Sequence, residues 1–240
     1  MFSSLQARTP PREPEAWKEV DEQDKKTPDS WVARHPSLVR LTGKHPFNCE
    51  PSLSELMRHG HETPASLHYV RNHGAVPVKA DGDAARQAVY DSWTLTIDGV
   101  DDPITLSMAD LEALPRRELP VLLVCAGNRR KEQNMVSKTI GFNWGPSGCG
   151  VSRWGGVLLS DVLALAKAKF SECTHVHFDG PEGELPKGDD GSYGTSLTRE
   201  HAFDPANDVL IAFLQNGERL RPDHGFPLRM IIPVRRSSFF

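Results

Sequence analysis

Cys125 closes the apolar run Glu118-Leu-Pro-Val-Leu-Leu-Val-Cys125 and is followed at once by Ala-Gly-Asn128-Arg129-Arg130-Lys131. A sulfur at the end of an apolar strand, with three cations next in sequence, sits where positive charge favours the thiolate. A thiolate is either a nucleophile or a ligand for a soft metal. Taken alone, a buried cysteine is ordinary packing, but two arginines directly after a buried strand are poor core residues. They suit bidentate recognition of an oxyanion, although Arg129 can equally salt-bridge its own loop.

Three further segments carry polar groups at loop-like spacing. His68-Tyr-Val-Arg71-Asn72-His73-Gly74 gathers them around one valine and a glycine, as a loop lining a cleft would. In Arg221-Pro-Asp223-His224-Gly-Phe-Pro-Leu-Arg229 a histidine and an arginine flank a Gly-Phe-Pro bend and point to an anion such as phosphate. Gly191-Ser-Tyr193-Gly194-Thr195-Ser196 sets a tyrosine between glycines, a weaker signal because loop tyrosines usually pack. Together these segments fit a site for an anionic cofactor and a small anionic substrate. As a metal ligand the thiolate favours molybdenum, copper or iron–sulfur over calcium or magnesium. The residues alone leave open a metal enzyme or a covalent cysteine enzyme.

The elements that must position these groups are short. Ser52-Leu-Ser-Glu55 is a capping-box pattern that opens a helix to about Arg58, and Ser107-Met-Ala-Asp110 opens another that stops before Pro115. Ser160 reads as the cap of a third helix, Ser160-Asp-Val-Leu-Ala-Leu-Ala-Lys. Trp93–Asp98, the run to Cys125, Thr174–Phe178 and Asp208–Leu214 read as strands, the run to Cys125 as a buried one. Gln215-Asn216-Gly217 is a tight-turn signal. Without a regular βα alternation, the expected class is α+β, with mixed sheets, short helices and long loops.

At 240 residues, 38% hydrophobic and 25% charged, the chain has an ordinary globular composition. Its net charge of −4 argues against a general nucleic-acid binder, and its apolar runs are too short for a membrane span. Cysteines 49, 125, 149 and 173 form no CxxC pair, so neither a disulfide framework nor a zinc site is expected, and the chain reads as reduced and cytoplasmic. Residues 1–34, with Pro10-Pro-Arg-Glu-Pro14 and the charge run Lys18–Lys26, read as a disordered leader, order beginning near His35.

Five motifs resemble the molybdenum-cofactor domain of the eukaryotic sulfite oxidases and assimilatory nitrate reductases. They are Lys44-His-Pro-Phe-Asn48-Cys-Glu50-Pro, Tyr-Val-Arg71-Asn-His, Val-Cys125-Ala-Gly-Asn-Arg-Arg, Tyr193-Gly-Thr-Ser and Asp223-His-Gly-Phe-Pro-Leu-Arg229. The resemblance runs over residues 35–233, in the family's order. Arg129–Met135, Thr139–Gly145, Leu185-Pro-Lys-Gly and Asp204-Pro-Ala side with nitrate reductase, as does Ile140 where sulfite oxidases carry a lysine.

The resemblance implies a sulfite-oxidase-type molybdopterin-binding fold in which Cys125 ligates molybdenum beside the pterin's dithiolene sulfurs. It places Arg71, Asn72 and His73 at the cofactor, and makes Arg71 with Arg130 a cationic pocket for nitrate. His224 and Arg229 would hold the pterin and its phosphate, and Trp144 would line the substrate funnel. Glu182, where the family carries aspartate, would accept the same hydrogen bonds. The implied reaction is nitrate to nitrite by oxygen-atom transfer, with haem and FAD expected only in domains beyond this chain. Residues 234–240 match none of the family's continuation, so a C-terminally incomplete domain is expected. The other readings are a sulfite oxidase, a non-catalytic fragment without cofactor and, more distantly, a cysteine hydrolase.

Overall fold

The computed structural model describes residues 19–181 and 193–233. Three short strands, β1 (Leu38–Arg40), β2 (Asn48–Pro51) and β3 (Val70–Arg71), form an antiparallel sheet with β2 central. Helix α1 (Leu53–Arg58) starts where expected, the Ser52 side chain accepting from the Glu55 N–H. Helix α2 (Gly82–Ser92) leads into the hairpin β4 (Thr94–Ile97) and β5 (Ile104–Ser107), and α3 (Met108–Glu112) follows. In α3 the capping box is complete, since Ser107 and Asp110 each bond the other's backbone N–H.

Strand β6 (Arg116–Val124), helix α4 (Arg130–Val136), strand β7 (Cys149–Leu158) and helix α5 (Leu159–Leu165) come next. The hairpin β8 (His175–Asp179) and β9 (Gly194–Thr198) precedes α6 (Arg199–Phe203), then β10 (Leu210–Gln215), β11 (Glu218–Arg219) and β12 (Arg229–Ile231). Among the described residues the largest sheet is antiparallel, ordered β11–β10–β7–β6 with β12 also on β10. Asn216 (φ 54°) and Gly217 (φ 86°) both take positive φ, the conformation a two-residue type I′ hairpin requires between β10 and β11. Short helices among mixed sheets make this an α+β fold, as the sequence pattern implied. No helix among the described residues is long and apolar enough to cross a membrane.

Three expectations are corrected. The helix expected from Ser160 begins at Leu159 with Leu158 as its cap, so Ser160 lies inside the first turn and caps nothing. Strand β6 is half-buried, because only one of its faces meets the core: Val121 and Leu123 are buried while Leu122 is 57% exposed.

The third correction concerns the leader. Residues 1–18 lie outside the described residues, but Asp24, Asp29, Trp31, Val32 and Arg34 are buried. Charge pairing makes that burial possible. Arg34 Nε and Nη2 donate to the two oxygens of Asp223 at 2.9 and 2.8 Å, and Nη2 also donates to Asp29 at 2.9 Å. Asp24 lies 3.1 Å from Arg34 Nη1 and accepts from Arg40 at 2.9 Å. The guanidinium of Arg34 also stacks 3.9 Å over Phe47. Packed structure therefore starts before His35.

Gly156 sets how closely β7 approaches β10. A methyl group there would stand 2.1 Å from the Ile211 carbonyl oxygen and 2.7 Å from the Ala212 Cα, both backbone atoms that cannot yield. Gly156→Ala is therefore expected to destabilise the fold by about 3 kcal/mol or more in urea titration. A parent-like midpoint would show that the two strands are less closely held than described.

Candidate functional site

Five of the nine expected residues, Arg71, Asn72, Cys125, His224 and Arg229, line one cleft of about 310 Å³, with Tyr193 on its wall. Cys125 is set by the last step of the β6–β7 ladder. Val124 pairs with Cys149, and the Cys125 N–H then donates to the Gly148 carbonyl at 2.8 Å. The loop beyond is zipped to residues 144–148. Arg129 N–H donates to Gly145 O at 2.8 Å, Lys131 N–H to Trp144 O at 3.0 Å, and Gly148 N–H to Asn128 Oδ1 at 3.2 Å.

The two arginines part company here. Arg129 adopts the left-handed conformation (φ 63°) that turns the chain into α4, and its exposed side chain pairs with Glu132 through Nε at 2.9 Å. It takes the structural role. Arg130 folds back over Gly127 and Gly141 and donates to the Phe142 carbonyl at 3.3 Å. Arg71, on β3, donates to Asn72 O at 2.7 Å and Asn48 Oδ1 at 3.3 Å, its guanidinium 5.3 Å over Phe142. Burial lowers its pKa, as does repulsion from Arg130, while Cys125 and Tyr193 raise it.

The thiolate expected from the neighbouring cations does not follow. Burial pushes the Cys125 thiol up, and this outweighs the Gly127 N–H, Arg71 and Arg130, all of which pull it down. Trp144 is corrected too. It is fully buried, edge-on to Tyr69 at 5.9 Å and under Gly127 and Gly148, so it supports the Cys125 loop instead of lining a funnel.

Asn72 donates to Asp223 Oδ1 at 2.8 Å, which ties β3 to the segment carrying His224. His73 packs on Tyr193 with ring centroids 4.7 Å apart, beside the cleft. His224 is buried, its Nδ1 2.9 Å from Gln215 Oε1. Arg229 donates to the His224 carbonyl at 3.2 Å and lies 5.2 Å over Trp154, with burial lowering its pKa. Glu182 lies outside the described residues.

Sequence reasoning assigned no site role to His68, Gln215 or Glu50. His68 is buried against His224 in the cleft. Glu50 accepts from the Gly145 N–H at 2.7 Å, and a methyl at Gly145 would stand 2.4 Å from that same oxygen. The carboxylate thus braces the loop that receives Cys125. Its signal was the glycine at 145, but the partner lies 95 residues away.

The fold and the thiol-bearing, cation-rich cleft define a molybdopterin-binding oxidoreductase domain. Residues 73–237 match the family described as "Oxidoreductase molybdopterin binding domain", and the chain belongs to it. The match passes Pro233 and includes residues 234–237, which the sequence reading had set outside the family.

Among curated relatives, "Nitrate reductase [NADH]" of Ulva prolifera is 53% identical over 224 residues, 91% of this chain and 25% of the relative. "Nitrate reductase [NADH] 1" of Oryza sativa subsp. japonica is 53% identical over 217 residues, 89% of this chain and 23% of that one. The chain thus spans about a quarter of the length of these relatives. The solved structure of the sulfane dehydrogenase SoxCD from Paracoccus pantotrophus shares the fold. Its TM-score is 0.62 at 24% identity, covering 87% of this chain and 46% of that one.

Burial lowers His68 from its ordinary 6.5 to about 4. Unfolded His68 takes up its proton near 6.5, whereas the folded protein resists until about 4. His68 therefore costs no stability above 6.5 and destabilises the fold progressively as pH falls toward 4, by roughly 3 kcal/mol. Urea unfolding across that window should show the fall, and His68→Phe should flatten it. An unchanged pH slope in the variant would refute a buried neutral His68.

Proposed function

We propose that this chain is the molybdenum-cofactor portion of a nitrate reductase, converting nitrate to nitrite by oxygen-atom transfer. The observation that carries the reading is the convergence of the Cys125 sulfur with Arg71 and Arg130, whose charges both act on it. The cleft also fits the cofactor's chemistry. Cys125 offers a soft sulfur, Arg229 a cation, and His68 and His224 each a buried nitrogen without a hydrogen-bond partner among the described residues. Bound there, the molybdenum cofactor supplies the two-electron oxygen-transfer chemistry.

The chain's own residues do the rest. Cys125 Sγ holds the metal, and the backbone zip between residues 125–131 and 144–148 fixes its direction. Arg71 and Arg130 offset the charge of nitrate, each guanidinium already anchored through a backbone carbonyl. Asn72 and His73 border the cofactor, and His224 with Arg229 hold the pterin and its phosphate. Glu182 would add hydrogen-bond acceptors to the same group. Nitrate, two electrons and two protons give nitrite and water. A haem-bearing partner domain supplies the electrons, with FAD further upstream. A cytoplasmic setting belongs to this reading and is supported by four free cysteines.

The purified chain, from a host that makes the cofactor, is expected to carry stoichiometric molybdenum and pterin and to form nitrite from nitrate with a reduced dye. Cys125→Ser should abolish nitrite formation and leave circular dichroism unchanged. Nitrite at the parent rate from the serine variant would end the ligand assignment. Arg71→Met should raise KM for nitrate about tenfold or more, since a charge-assisted hydrogen bond is lost. Sulfite oxidation with ferricyanide in place of nitrate reduction would move the chain to the sulfite oxidase class. Absence of both metal and pterin would make it a fragment without cofactor.

A further inference from the structure

The runs Arg129–Met135 and Thr139–Gly145 fold against each other beside Cys125, and one amide joins them. Every residue from Lys131 to Gly141 is exposed except Asn134. A loop that buries so little keeps its shape through hydrogen bonds. Asn134, in the second turn of α4, supplies them. Its Oδ1 accepts from the Thr139 N–H at 2.8 Å and from the Thr139 hydroxyl at 2.9 Å. Its Nδ2 donates to Asn143 Oδ1 at 2.6 Å. Both ends of segment 139–143 are thus clipped to one side chain, and Phe142 is the residue they hold in place.

Phe142 meets two guanidinium groups at once. Its ring lies 5.3 Å from the guanidinium carbon of Arg71, within the range of cation–π attraction. Its carbonyl oxygen accepts from Arg130 Nη1 at 3.3 Å and from the Trp144 N–H at 2.9 Å. Arg130 reaches that oxygen because Gly127 and Gly141 carry no side chain. A methyl on either would stand 2.7 or 2.6 Å from Nη1, and Gly141 also takes φ 121°. Arg71 and Arg130 repel each other, yet both act on the Cys125 sulfur. Holding the two cations near one atom takes a residue that attracts each of them, and Phe142 is the one they share.

We propose that Phe142 is a positioning residue for the oxyanion substrate, its ring on Arg71 and its carbonyl on Arg130 holding both guanidinium groups at one anion, and that Asn134 is the clip that sets it there. The inference rests on the functional reading above and deepens it, by naming what keeps the substrate's two cations together. Phe142 acts through the arginines. Its ring therefore governs capture of the anion and leaves the rate of the bound complex alone.

The test uses the full chain prepared from a host that makes the cofactor, with nitrate as the probe. Phe142→Leu keeps the carbonyl and most of the apolar volume but removes the ring face. It should raise KM for nitrate about fivefold, the worth of one cation–π contact, with kcat within about twofold of the parent. Phe142→Tyr retains the ring and should show the parent KM. Asn134→Ala should raise KM by a similar factor. The double variant should be no worse than Phe142→Leu alone, since both changes act through one contact. A readout independent of turnover is the ¹⁵N spectrum of the arginine side chains. Arg71, assigned by its loss in Arg71→Lys, should carry a ring-current shift that Phe142→Leu abolishes.

A parent-like KM in Phe142→Leu, a fall in kcat without a rise in KM, a raised KM in Phe142→Tyr, additive effects in the double variant, or an Arg71 resonance that ignores the ring would each overturn the proposal. Its failure is separable from that of the functional reading. A parent that reduces nitrate with a KM indifferent to the ring at 142 overturns only the positioning role. A parent that carries the cofactor and forms no nitrite overturns the reading beneath it, and the proposal with it.

Discussion

The antiparallel ladder between β6 and β7 is the constraint on which the site depends. Its register runs from Arg116 opposite Val157 to Val124 opposite Cys149, and the next hydrogen bond is the one that fixes Cys125. Because side chains alternate along a strand, β7 presents positions 150, 152, 154 and 156 on one face. Gly150 leaves space for His68, Ser152 holds Gln215, Trp154 lies beneath Arg229, and Gly156 admits β10. The opposite face carries Val151, bonded to Thr63, and Arg153, paired with Glu62. A one-residue slip would exchange the two faces and dismantle the cleft, the seat of Cys125 included.

Around that ladder the fold has to bury charge, and it does so by sharing partners. Asp223 accepts from both Arg34 and Asn72, so the same carboxylate that neutralises the N-terminal segment also ties down the Arg71 loop. Removing one member of such a buried network leaves another charge uncompensated, which costs far more than a surface pair is worth. Glu50 works in the same manner on the other side of Cys125, where its buried carboxylate takes the Gly145 N–H. The cleft is thus braced at two points by groups whose charge would be a liability without these partners.

What the sequence made legible was local. The helix starts at Ser52 and Ser107 follow from side chains bonding backbone three residues on, and the Asn216-Gly217 turn follows from two positive φ angles. The polar segments around Arg71, Cys125 and His224 were visible because polar residues between apolar runs need a reason. What escaped depended on partners distant in sequence. Nothing near Arg34 announces Asp223, 189 residues away, so a paired segment read as a solvated one. Gln215 read as part of a tight turn, because its imidazole partner lies nine residues further on. Arg129 and Arg130 are chemically identical neighbours, and only the left-handed backbone at Arg129 sends one outward and the other in.

The same limit explains why charge counting misjudged Cys125. Three cations in the next six residues suggest a stabilised thiolate, yet Arg129 pairs with Glu132 at the surface and the exposed Lys131 acts on Glu50. Two guanidinium groups remain, one from α4 and one from β3, and they repel each other. Burial then costs the sulfur more than those two charges return. Negative charge brought into the cleft from outside acts on the cations instead, relieving the repulsion between Arg71 and Arg130 and meeting donors already oriented. Among the described residues neither of these guanidinium groups meets a carboxylate, so the cleft offers its positive charge to whatever anion enters it.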